Sequence, residues 1–138
     1  MELKNPERLR KAFTDLERVI ESYSLASKSA KRLYFLALTK AFEVAIEYSW
    51  KEIKRKVEDR GLEAFSPKDA IREGAKLGFI EEPEEWIDAI NARNLSVHDY
   101  FSLSEQDFVA LIKTFYQNAS RAFGLEVKRT RKSNRHRS

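Results

Sequence analysis

Phe35-Leu36-Ala37-Leu38-Thr39-Lys40-Ala41-Phe42-Glu43-Val44-Ala45-Ile46 continues through Trp50, Ile53 and Val57 to Gly61, and its large apolar residues recur at steps of three and four. Phe35, Leu38, Phe42, Ile46, Trp50, Ile53 and Val57 share one side of a cylinder that turns about 100° per residue. On an alternating strand the same residues would scatter over both faces. The stretch therefore predicts one long helix over roughly residues 29–60, ended by Gly61 as a C-terminal cap. Nowhere does the chain show β-branched runs in strict alternation, so the expected fold class is all-α.

On the N-terminal side, Asn5 before Pro6 is placed to cap a first helix over residues 6–24, with Leu9, Phe13, Leu16, Ile20 and Tyr23 on one face. Ser24 to Ser29 reads as a connector. On the C-terminal side, Ser66-Pro67-Lys68-Asp69 combines a cap, a proline at the first helical position and an acid in the first turn. It opens a short helix that stops near Gly78 and buries Ile71 and Leu77. Pro83, Glu84 and Glu85 open a fourth helix over residues 83–97, anchored by Trp86, Ile87, Ile90 and Val97. A fifth begins near Ser104, with Ser102 and Glu105 as a capping box, and aligns Phe108, Leu111, Ile112, Phe115, Ala119 and Phe123 before Gly124 closes it. All four glycines, Gly61, Gly74, Gly78 and Gly124, read as punctuation. Tyr34, Phe35, Phe42, Tyr48 and Trp50 largely follow the helical repeat and are read as core rather than as a platform for stacking bases.

A chain of 138 residues is one ordinary domain. We divide it into a helical body, residues 1–124, and a basic C-terminal tail, residues 125–138. The absence of cysteine excludes disulfides, thiolate nucleophiles and cysteine zinc sites. No apolar run approaches the ~18 residues of a membrane span, and Met1-Glu2-Leu3-Lys4-Asn5-Pro6 has no apolar signal region, so a cytoplasmic protein is expected. The formal charge is +4. The tail holds Lys128, Arg129, Arg131, Lys132, Arg135 and Arg137 with no acid among residues 128–138, which leaves the body slightly acidic. Either a solvated end or a nucleic-acid-binding arm fits that tail.

One stretch reads as chemistry. Ala92-Arg93-Asn94-Leu95-Ser96-Val97-His98-Asp99-Tyr100 spells Arg-x-x-x-x-His-x-Tyr and contains one of the chain's two histidines. Imidazole is suited to proton transfer near neutral pH, a guanidinium fork fits a phosphate, and a tyrosine offers a modifiable hydroxyl. Chance would assemble all three around a histidine with probability of about 0.7%. Arginine and histidine alone are weaker, since Arg131 and His136 repeat the spacing with Ser138 in place of the tyrosine. Asn94 is a candidate to orient Arg93 or His98, and Asp99 to hold the imidazole or simply to favour a turn. Five residues turn a helix by about 140°, so Arg93 and His98 share a site only if the helix ends or distorts between them, or if a second copy completes it. Glu81, Glu82, Glu84 and Glu85 are read as partners of a helix dipole rather than as metal ligands, and no metal or other cofactor is expected. Neither a phosphate-cradling glycine loop nor a hydrolytic triad is present, which disfavours ATP hydrolysis and ordinary esterase chemistry.

These residues resemble the HEPN superfamily, in the branch that partners a minimal nucleotidyltransferase (MNT) and comprises nucleotidyltransferase substrate-binding proteins and HEPN toxins. The likeness runs through Phe42 to Trp50-Lys51, Gly61-Leu62-Glu63, Ser66 to Glu73, Gly78-Phe79-Ile80, Trp86 and Arg93 to Tyr100, and covers roughly residues 8–123. It implies an antiparallel helical bundle of about five helices that forms a homodimer, with the two Arg-x-x-x-x-His motifs facing one another. It further implies metal-independent RNA cleavage, with His98 as acid and base and Arg93 stabilising the phosphorane. Tyr100 would accept adenylate from a separate MNT antitoxin. The alternative within the same branch is a non-catalytic subunit that offers a substrate to the nucleotidyltransferase. Asp99 and the basic tail depart from the family pattern.

Overall fold

A computed structural model of the chain describes residues 6–98 and 103–125, and for residues 95–98 the backbone alone. Five helices follow one another: α1 (Pro6–Leu25), α2 (Lys31–Asp59), α3 (Pro67–Lys76), α4 (Pro83–His98) and α5 (Glu105–Phe123). No strand occurs among the described residues. The expected all-α class is what forms.

Side-chain pairings give the helix directions. Tyr23 meets Glu105, Phe35 meets Phe108, Phe13 meets Phe115 and Lys56 meets Phe123. Thus α5 runs parallel to α2 and antiparallel to α1. Trp86 at the start of α4 packs on Phe115 and Phe123, and Glu85 meets Asn118, so α4 runs back along α5. The end of α4 consequently lies at the end of the bundle where α2 begins. At 29 residues, α2 is about 43 Å long and serves as the spine.

The core is apolar and ring-rich. Leu16, Leu38, Phe42, Ile46, Ile53, Val57, Ile71 and Ile112 are fully buried, with Phe13, Phe35, Trp86, Phe108 and Phe115 beside them. Phe42 meets Phe108 and Phe115 edge-on at 5.8 and 5.5 Å between centroids, and Trp86 meets Phe115 at 5.7 Å. Such pairs add about 0.5–1.5 kcal/mol each beyond the area they bury. Ser66 caps α3 by accepting from the Asp69 backbone N–H at 3.1 Å, as its position before Pro67 predicts. Gly124 closes α5 in the left-handed region at φ 69°, where a Cβ would be strained.

Three expectations change. Ser104, not Ser102, caps α5, accepting from the Asp107 N–H at 3.0 Å, while Glu105 accepts a hydrogen bond from the Tyr23 hydroxyl at 2.6 Å. Ser102 and Asn5 lie outside the described residues. Gly74 ends nothing: it sits inside α3, buried where α3 crosses α2, and a Cβ there would lie 2.8 Å from Ile53 Cγ2. Finally, Tyr34 is exposed, and Tyr48 and Trp50 are only half-buried. The apolar stripe of α2 is narrower than its aromatic content implies, because the other four helices cover one side of it.

Candidate functional site

α4 carries the motif, and its register on the core decides what Arg93 can reach. Trp86, Ala89, Ile90 and Ala92 are buried. Arg93 stands seven residues beyond Trp86, two turns on, at the edge of that buried stripe. Its side chain keeps 38% exposure, and Nη2 pairs with Glu47 Oε1 of α2 at 3.0 Å. The same Glu47 oxygen accepts from Trp50 Nε1 at 3.3 Å, while Oε2 faces Lys51 Nζ at 3.4 Å. One carboxylate thus gathers an arginine, an indole and a lysine on the α2–α4 face. Trp50 lies off the core stripe for this reason: its ring packs inward while its N–H reaches Glu47.

Both partners of the Arg93–Glu47 pair are about one-third exposed, so the pair contributes up to about 1 kcal/mol. Its chemical effect matters more. Glu47 fixes the guanidinium against α2 and offsets its charge, so Arg93 is a positioned donor rather than an isolated phosphate anchor. Nothing in the sequence joins residues 47 and 93. Glu47 and Lys51 read locally as a surface i,i+4 pair, and the link to Arg93 arises only when α4 packs on α2.

Of the other candidates, Asn94 is exposed. α4 ends at His98, one residue beyond the expected 97, and is helical from Arg93 to His98, so of the two ways for these positions to share a site an end of the helix between them is not the one that occurs. Within one chain, positions 93 and 98 sit on different faces of α4, about 140° apart and about 7.5 Å along its axis. Of the side chain of His98 the structure says nothing, and Asp99, Tyr100 and the tail cations Lys128, Arg129, Arg131, Lys132, Arg135 and Arg137 lie outside the described residues. Among the acids at the start of α4, Glu85 accepts from Asn118 Nδ2 at 2.9 Å, and Glu81 faces Arg121 at 3.9 Å. Among the described residues, no group of three or more histidine or acidic side chains is arranged to hold a metal ion.

Two titrating groups are perturbed away from this face. The Tyr23 hydroxyl is pushed up to about 12, first by its hydrogen bond to the Glu105 carboxylate and then by burial. Burial pushes the Lys56 ammonium down against the opposing pull of Glu52. Lys56 Nζ lies 5.5 Å from the centroids of both Phe79 and Phe123, so ring faces supply part of the solvation that water does not. Both are ties between helices at a distance from Arg93.

Comparison with known proteins follows the same architecture. A family model described as nucleotidyltransferase substrate binding protein like matches residues 4–129. Among solved structures, HI0074 from Haemophilus influenzae has a TM-score of 0.68 with 23% identity, covering 81% of this chain and 91% of its own. That structure is described as revealing the fold of a substrate binding domain of a nucleotidyltransferase. At such identity the likeness speaks to the fold. None of the curated proteins searched matches the chain. Since the matched segment spans all five helices, together with Arg93, Glu47 and His98, the chain belongs to the nucleotidyltransferase substrate-binding protein-like family.

Proposed function

We propose that this chain is the substrate-binding member of a two-protein nucleotidyltransferase, presenting the group to be modified while a separate catalytic chain transfers the nucleotide. The observation that carries this reading is the family match over residues 4–129, which takes in the whole bundle. The geometry agrees with it. A guanidinium tied to Glu47 at 3.0 Å is suited to orienting a neutral or singly charged group. It is a weaker source of transition-state charge than an arginine with no acid beside it. The test is co-expression with a candidate nucleotidyltransferase from the same genome, followed by co-purification and transfer of label from ATP. A stable complex whose transfer requires both chains is the expected result. Transfer at full rate by the nucleotidyltransferase alone would refute the reading.

The pattern Arg93-x-x-x-x-His98-x-Tyr100 favours a second reading: a homodimeric toxin that cleaves RNA without metal and is silenced when the partner adenylylates Tyr100. The placement of positions 93 and 98 on different faces of α4 means that this chemistry needs a second copy to complete the site. Lys128, Arg129, Arg131, Lys132, Arg135 and Arg137 would then hold the RNA backbone. Incubating purified chain with total RNA in excess EDTA separates the two readings. Cleavage by the wild type, lost in a folded His98→Ala protein, would establish the RNase. A mass gain on the chain that disappears in Tyr100→Phe would identify the modified residue.

A further inference from the structure

Lys56 brings an amine onto the core-facing side of α2. It stands three residues beyond Ile53 and next to Val57, both fully buried, and keeps only 6% exposure itself. A lysine so placed is ordinarily paired with an acid. The carboxylate one turn back is already engaged, because Glu52 takes Arg55 Nη2 on Oε2 at 2.7 Å and Arg55 Nε on Oε1 at 3.3 Å. Lys56 Nζ faces rings instead. It lies 5.5 Å from the centroids of both Phe79, in the link between α3 and α4, and Phe123, at the end of α5. Phe123 is buried and Phe79 half-buried, so the slot between them reaches the surface on the Phe79 side.

Ring faces solvate an ammonium less completely than water does. Burial therefore favours the free amine, against the pull of Glu52 and with the push of Arg55. On the other two segments Arg121 and Glu81 pair with each other at 3.9 Å. An ordinary lysine is only about 0.1% free amine near neutral pH, so any lowering multiplies the nucleophilic fraction. A second cation stands at the mouth of the slot. Arg60 is exposed and its Cζ lies 5.1 Å from the Phe79 centroid, so one ring carries both Lys56 and Arg60. Of the acids nearest Arg60 in the chain, Glu58 is paired with Lys54 and Asp59 with Arg55, each at 2.7 Å, and Glu63 is exposed in the loop beyond.

We propose that Lys56 is an acylation site for acyl phosphates, with Arg60 as the anchor for the phosphate. The Lys56 amine attacks the carbonyl carbon. The C–N bond forms as the C–O bond to phosphate breaks, and the amine proton passes to the departing phosphate, which Arg60 holds through its guanidinium fork. The product amide is neutral, so it removes a charge from between the rings and leaves a chain that suits an apolar slot. Arg60 selects the class of reagent, because an acyl donor without a phosphate gains nothing from it. Acylation would also take away the cationic contact that joins α2 to the end of α5. The proposal rests on this slot and does not depend on the nucleotidyltransferase reading.

The test incubates the full chain with acetyl phosphate near neutral pH, folded and in urea, and times acetylation at each lysine by peptide mass spectrometry. The uncharged reagent N-acetoxysuccinimide is run alongside, on the wild type and on Arg60→Gln. Arg60 is exposed, so the variant keeps the helical circular dichroism of the wild type. In the folded chain Lys56 should react with acetyl phosphate roughly threefold or more faster than the exposed Lys28 and Lys113, and urea should remove that lead. Arg60→Gln should slow Lys56 by about fivefold with acetyl phosphate, the effect of one exposed ion pair, and leave its rate with N-acetoxysuccinimide unchanged. A Lys56 that lags the exposed lysines in the folded chain, or a lead that persists in urea, would overturn the proposal. Equal slowing of both reagents by Arg60→Gln, or no slowing of either, would overturn it as well, since the phosphate would then have no anchor.

Discussion

Gly74→Ala sets two effects of known sign against each other. Alanine is favoured over glycine in a helix interior by about 0.8–1 kcal/mol, and Gly74 lies inside α3. On propensity alone the substitution stabilises. The new methyl, however, would stand 2.8 Å from Ile53 Cγ2 and 3.3 Å from Ile80 Cδ1. Ile53 is fully buried on the spine helix, and its Cγ2 hangs from a branched Cβ with one strongly preferred rotamer. It cannot swing away. Ordinary carbon contact lies near 3.5–4.0 Å, so α3 would have to retreat from α2 by about 0.7–1.2 Å, loosening every contact of that interface. Overpacking of this kind costs about 1–3 kcal/mol, which exceeds the propensity gain and leaves Gly74→Ala destabilising by about 1 kcal/mol. Urea unfolding followed by helical circular dichroism, with Trp50 and Trp86 as internal fluorophores, measures it, and thermal unfolding should show a loss of about 4 °C. The decisive comparison is a cycle with Ile53→Ala, which removes Cγ2. In that background Gly74→Ala should become stabilising by up to about 1 kcal/mol, a reversal of sign. A Gly74→Ala protein that melts higher than wild type would refute the close approach of α3 to α2.

Further outcomes follow from the charged contacts. Arg93→Gln and Glu47→Gln should each cost about 0.5–1 kcal/mol, with a coupling of similar size in a double-mutant cycle; zero coupling would mean that the pair does not form in solution. Tyr23→Phe should cost about 1 kcal/mol through loss of the bond to Glu105. The Tyr23 value of about 12 lies above the ordinary 10, so its contribution is complete below pH 10 and is lost as pH rises through about 12. Ultraviolet titration of the tyrosines should show one phenol ionising late, and Tyr23→Phe should remove it. For Lys56 the sign is opposite. Its folded value is lowered, so the unfolded chain binds more protons between the two values, and stability attributable to it rises with pH towards 10.5. Lys56→Met should abolish that rise in urea titrations carried up to pH 10.5 without loss of helicity.

The five helices, their order and several caps follow from local rules. A period of three and four over residues 35–57 leaves no option but a helix, Ser66 before Pro67 names its own hydrogen bond, and Gly124 supplies the left-handed turn that stops α5. The motif at 93–100 and the family likeness are also written in the linear order of residues, since both depend on spacing alone. Glu47 was invisible in that order. It lies 46 positions before Arg93, and helical periodicity says which face is apolar without saying which acid another helix will bring an arginine to. Gly74 misleads for a related reason: glycine in a sequence signals a turn or a close approach with the same letter, and only the 2.8 Å to Ile53 distinguishes them. Leu33 and Leu36, exposed on α2, make the same point at the level of the whole spine. Local chemistry dictates where a chain of this composition is helical and which side is oily. How far along that side the neighbouring helices reach, and therefore which charges meet and which apolar groups stay exposed, depends on contacts between residues far apart in the chain, formed only when α2 has all its neighbours in place.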